Sequence, residues 1–230
     1  MIGIIGAMEV EVQGIKSDMT DVRIEKRASM EFCIGKLEGK DLVVVRSGVG
    51  KVNAAVCTQI LADVYQVDAI INTGVAGSLR NEINIGDIVV SRDAIQHDME
   101  ATCFGYQPGE VPQLGRRTFE ADQKLRKVVV DTCRQVNPDI NVFEGRIASG
   151  DRFVADAGDK ERIRQVYGGW CTEMEGCAIA QAAWLNGIPF VIIRAISDKA
   201  DGSDIINYEE FEAKAAVHCL RLTQAVVGRL

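Results

Sequence analysis

The chain has 230 residues, 47% hydrophobic and 26% charged, and its 26 Lys+Arg against 33 Asp+Glu leave a formal net charge of −7. At roughly 150 residues per domain, that length predicts a single domain spanning residues 1–230. The composition excludes collagen, coiled coil, disorder and the small disulfide scaffold, and the acidic balance argues against a nucleic-acid or anionic-membrane partner.

Seven cysteines, an odd count without a C-x-x-C pair, read as reduced core residues of a reducing compartment. His97 and His218 are the only imidazoles and neither has a second ligand at metal spacing, so no metal site is expected. The start MIGIIGAMEVEV is apolar only briefly and then acidic, unlike a signal peptide. No apolar run reaches the ~18 residues of a membrane span. The expectation is a cytoplasmic protein.

Short apolar runs alternate with longer amphipathic segments. IGIIG (2–6) reads as a buried strand, followed by a helix over 8–17 and strands near 22–28, 30–37 and 41–47. Helical periodicity over 51–65 places Val52, Ala55, Val56, Ile60 and Val64 on one face. Strands at 68–74 and 87–95, a helix over 121–135 and a strand at 140–149 come next. Helices near 158–166 and 174–187, a strand at 189–197 and a long helix over 208–227 complete the chain. This alternation predicts an α/β domain with a central, twisted, mixed and mostly parallel sheet flanked by helices. Segment 103–117 has no periodicity and holds two of the four prolines, the pattern of a functional loop.

The glycine-rich stretches at 6, 48–50 and 74–77 read as tight turns after strands, and none completes a nucleotide phosphate loop. In open α/β sheets, ligands bind beyond the carboxyl ends of strands, so these turns point to a small-molecule site. Three acids sit just past apolar strands: Glu11, Glu175 and Asp198. Each has a structural alternative. Glu9 and Glu11 fit solvated first-turn residues, Thr172-x-x-Glu175 fits a capping box, and Ser197-Asp198 fits a strand-to-turn transition. Arg194, inside VIIRAI, must face an apolar layer and needs an acid or a bound anion nearby. Separated carboxylates are what glycosidic hydrolysis requires, one protonating the leaving group and one activating water.

The motifs GIIGAMEVEV, SGVGKVNAA, INTGVAGSL, GDIVVS, TCFGY…P, SGDRFV, TEMEG and FVIIRAISDKAD occur in one order along the chain. Together they resemble the bacterial 5′-methylthioadenosine/S-adenosylhomocysteine nucleosidases of the purine nucleoside phosphorylase superfamily. The resemblance implies cleavage of a nucleoside to adenine and a 5′-substituted ribose, without a cofactor. It implies that Asp198 is the general acid at adenine N7, with Ser197 orienting it. Glu11 activates water, with Arg194 helping to hold it. Glu175 binds the ribose hydroxyls, Met174 packs on the sugar, and Phe153 and Val154 contact adenine. Tyr208 flanks the same pocket, and Met8, Val49 and Gly77 line it. Phe104, Tyr106 and Pro112 are implied to line the 5′-alkylthio pocket, partly from a neighbouring subunit, which makes a homodimer the expected assembly.

Val75 departs from the family, which commonly has serine there, and Cys103 stands where the family often has a small residue. An apolar Val75 removes a hydroxyl from the water site and leaves more of the work to Glu11 and Arg194. Three alternatives stay open. A phosphorylase on the same fold would need basic or hydroxyl donors where this chain has Glu11 and Val75. A hydrolase of futalosine or 5′-deoxyadenosine would differ only at the 5′ pocket. A non-catalytic nucleoside-binding protein would be expected to lack the acids that this chain keeps.

Overall fold

The computed structural model describes residues 1–200 and 208–230, the side chains of 208–214 excepted. In chain order the elements begin with β1 (Ile2–Gly6), α1 (Glu9–Asp18), β2 (Thr20–Arg27), β3 (Met30–Leu37), β4 (Lys40–Arg46), α2 (Lys51–Asp63), β5 (Ala69–Ser78) and β6 (Ile88–Gln96). They continue with β7 (Phe119–Glu120), α3 (Gln123–Val136), β8 (Val142–Ser149), α4 (Ala157–Tyr167), β9 (Cys171–Glu173), α5 (Gly176–Leu185), β10 (Phe190–Asp198) and α6 (Tyr208–Val227). The expected elements are present with small shifts at their ends.

One mixed sheet joins the strands in the order β2-β3-β4-β1-β5-β9-β8-β6-β10, and β10 returns to pair with β5. That last pairing curls half of the sheet into a ring of β5, β9, β8, β6 and β10. Strands β4, β1, β5 and β10 run parallel side by side. Both of their faces are covered, which is why they read as unbroken apolar runs. Strands β2, β3 and β4 form the expected antiparallel extension.

Two apolar layers sandwich the sheet. Cys57 and Leu61 of α2 and Ile179 of α5 pack with Ile5 and Ile192 on one side. Val12 and Ile15 of α1, Leu125 and Val129 of α3, and Leu222 and Val226 of α6 pack with Ile4 and Ile193 on the other. A smaller cluster under α4 contains Leu79, Ala148, Val154, Ile163 and Tyr167.

Helix α2 buries Ala54, Cys57, Thr58 and Leu61, whereas Val52, Val56 and Val64 are 74%, 40% and 45% exposed. One local expectation needs correction: the GVAG stretch at 74–77 is no turn. It lies inside β5, whose ten residues are all buried, because three neighbouring strands supply its ladder. Loop 103–117 is held by a bridge between Val111 and Arg116, and Arg117 Nε donates to the Pro108 carbonyl at 2.6 Å. Among the described residues, no helix is long and apolar enough to cross a membrane.

Candidate active site

Parallel strands end on the same side of a sheet, so the residues after β1, β5 and β10 converge. There they meet the β9–α5 junction and enclose a cavity of about 240 Å³. Glu11, Glu175 and Asp198 all line it.

Glu11 belongs to the first turn of α1, but its carboxylate turns back toward the end of β1. Oε2 accepts from the Ala7 and Met8 amides at 2.7 and 2.9 Å, and Oε1 accepts from the Val75 amide at 3.1 Å. It is buried rather than solvated. A side chain at Gly74 would come within 2.3 Å of Glu11 Oε1, so glycine at 74 is what admits the carboxylate. Burial pushes the Glu11 pKa up, and the Arg194 charge and the three amides oppose that rise.

Arg194 is 2% exposed and lies behind the cavity wall. Its acid partner is Glu173, with Nη2 at 2.5 Å from Glu173 Oε2, and Nη2 also donates to Asn72 Oδ1. The expected carboxylate is therefore found, but it is not Glu11, which Arg194 influences only through space. Glu173 also accepts from the amides of Glu175 and Gly176 at 3.2 and 2.7 Å. Glu173 thus caps α5. The capping box expected at Thr172-x-x-Glu175 does not form, because Glu175 is itself the residue at the cap and makes no capping bond.

Glu175 instead reaches across to α2, where Oε1 accepts from the Gly50 amide at 2.8 Å. Burial and the neighbouring Glu173 charge push its pKa up to about 7. An acid that binds its proton more tightly when folded weakens the fold as pH rises from the ordinary glutamate value through about 7. Glu175→Gln is therefore expected to stabilise the chain by up to about 3 kcal/mol at pH 8, and by roughly a quarter of that at pH 5. Thermal melts at both pH values check this. An equal change at the two would remove the electrostatic explanation.

Asp198, the last residue of β10, takes a hydrogen bond from Ser197 Oγ at Oδ1 (3.0 Å) and an ion pair from Lys160 Nζ at Oδ2 (2.5 Å). A side chain at Gly77 would approach Asp198 Oδ2 to 2.7 Å. Both glycines of β5 thus mark places where a carboxylate crosses close to the backbone.

Of the other expected residues, Met8, Val49, Val75 and Gly77 line the cavity from the β1, β4 and β5 ends. Phe153, Val154, Met174 and Ser197 line it as well. The Val75 amide, not its side chain, meets Glu11. Phe104, Tyr106 and Pro112 do not line the cavity, and Phe104 is 82% exposed. The Tyr208 side chain lies outside the described residues. Sequence reasoning missed Glu173 and Lys160. Arg194's need for an acid was the signal for the first. For the second it was the spacing of Lys160, Ile163 and Tyr167 along one stripe of α4.

Acids at the ends of parallel strands in a curled mixed sheet define a class, and the phosphorylase superfamily model matches residues 1–228. A 5′-methylthioadenosine/S-adenosylhomocysteine nucleosidase of Halalkalibacterium halodurans is 41% identical over 230 residues, covering 100% of this chain and 98% of that protein. The structure of such a nucleosidase from Colwellia psychrerythraea, in complex with adenine, superposes with a TM-score of 0.94 at 39% identity, covering 100% and 95% of the two chains. Futalosine hydrolase of Helicobacter pylori superposes with a TM-score of 0.93 at 29% identity, covering 100% and 97%. The chain belongs to the 5′-methylthioadenosine/S-adenosylhomocysteine nucleosidase family of that superfamily.

Proposed function

We propose that this chain hydrolyses the N-glycosidic bond of 5′-methylthioadenosine and S-adenosylhomocysteine, releasing adenine and the 5′-thioribose. The observation that carries the mechanism is the arrival of Glu11 and Asp198, from different strand ends, in one cavity. Asp198 gives its proton to adenine N7, and the C1′–N9 bond breaks with its electron pair leaving on the base. Water attacks C1′ and yields a proton to Glu11, which passes it to solvent, while solvent returns a proton to Asp198. An adenine anion is a poor leaving group, so N7 protonation supplies much of the barrier reduction. Glu175 holds the ribose hydroxyls, and Phe153 and Val154 hold adenine.

Water rather than phosphate is the nucleophile because the local cation is already used: Arg194 is paired with Glu173. Arg152, which lines the cavity itself, is paired with Asp159. Among the described residues, a bound anion there would face Glu11, Glu173 and Glu175 without a free positive partner.

Residues 1–230 act as one catalytic unit, and two copies form a homodimer. Support comes from the exposed apolar side of α2, with Val52 and Val56, and from Phe104. In the dimer, Phe104, Tyr106 and Pro112 close the 5′ end of the partner's cavity. Seven unpaired cysteines support a cytoplasmic setting.

The test is base release from methylthioadenosine, S-adenosylhomocysteine, 5′-deoxyadenosine and futalosine, each with and without phosphate. Adenine release from the first two in phosphate-free buffer is expected. Strict phosphate dependence would overturn the hydrolase, and turnover of futalosine alone would reassign the substrate.

A further inference from the structure

Lys160 sits where an apolar residue belongs. Of α4, only Lys160, Ile163 and Tyr167 face inward, and Ile163 and Tyr167 join the apolar cluster beneath the helix. The other charged residues of α4 are exposed or half-buried, among them Glu161, Arg162 and Arg164. Lys160 is 1% exposed. Taking an ammonium out of water costs several kcal/mol unless a partner offsets it. A chain that needed only to seat α4 on the barrel could use leucine or methionine at that point.

The ammonium has two acceptors among the described residues. Nζ donates to Asp198 Oδ2 at 2.5 Å and to the Lys199 carbonyl. It therefore grips the acid and the backbone immediately after it. The carboxyl is bounded on three sides: Lys160 at Oδ2, the Ser197 hydroxyl at Oδ1, and the side-chain-free Gly77 against which it lies.

We propose that Lys160 is a positioning residue for the leaving-group acid, a role that rests on the assignment of Asp198 made above. The ion pair seen here is the state that Asp198 reaches once its proton has passed to N7. From the protonated acid, the attraction between carboxyl and ammonium therefore grows toward the transition state, which is the requirement for lowering the barrier rather than only binding substrate. The fixed position of Lys160 also keeps the carboxyl from rotating away from the base.

The test separates leaving groups. Adenine needs a proton to depart, whereas 4-nitrophenolate leaves as a stable anion. Wild type, Lys160→Met, Lys160→Gln and Asp198→Asn are compared on methylthioadenosine and on the 4-nitrophenyl 5-methylthioriboside. Lys160→Met is expected to lower kcat for methylthioadenosine by about 10²-fold with KM little changed. Its kcat for the nitrophenyl riboside should stay near wild type, which also reports that the variant is folded. Lys160→Gln, which keeps a neutral donor, should show the same selectivity more weakly and serves if the methionine variant does not fold. Equal losses on both substrates, or no loss on methylthioadenosine, overturn the proposal. If Asp198→Asn is selective and the Lys160 variants are not, Lys160 alone is wrongly assigned. If Asp198→Asn also fails to discriminate, the acid itself is wrongly assigned.

Discussion

Asp198→Asn is expected to cut adenine release from methylthioadenosine by about 10³-fold or more, the upper part of the range for removal of a general acid. Asparagine keeps the size of the side chain and an oxygen for Lys160, so the cavity and the grip of α4 persist. What it lacks is a transferable proton. Substrate affinity should therefore be little changed, because protonation of N7 belongs to the transition state. Single-turnover rates together with a binding isotherm check both halves. A variant that lost binding and rate in equal proportion would show Asp198 to be a binding group rather than the acid.

Glu11→Gln is expected to cost about as much, for a different reason. The amide cannot accept the proton of the attacking water. Its geometry is also wrong: Oε2 of Glu11 faces two backbone donors, the amides of Ala7 and Met8. An NH₂ placed there meets donors with a donor, and an oxygen placed there leaves the Val75 amide without its acceptor. Burial raises the Glu11 pKa, so the base becomes protonated at a higher pH than a free carboxylate. Activity should fall on the acid side at a pH above the ordinary carboxylate range. A kcat/KM profile that stays flat down to the ordinary carboxylate range would remove Glu11 as the base.

Both residues show how much of the site could be read from the chain itself. Each follows an apolar run, and strand ends are where an α/β sheet places its ligand. The motif order around them carried the family, and hence the cavity-lining Met8, Val49, Phe153, Val154, Met174 and Ser197. Partners were not legible. Arg194 announced that it needed an acid, but three glutamates were available, and only the crossing of β9 beside β5 brings Glu173 to it. Lys160 lies in a charged helix, and its burial depends on how that helix settles on the barrel.

The sequence by itself determined the alternation of strands and helices, the acids at strand ends and the absence of a completed phosphate-loop motif. These follow from local propensity, periodicity and spacing, all written within a few residues of one another. Tertiary structure alone decided which charges pair. Glu11 with the Val75 amide, Glu175 with Gly50, Arg194 with Glu173, and Asp198 with Lys160 join residues 21 to 125 positions apart. Such pairs form only after sheet closure has brought the segments together and excluded water. Burial then makes each unpaired charge costly enough to fix its partner.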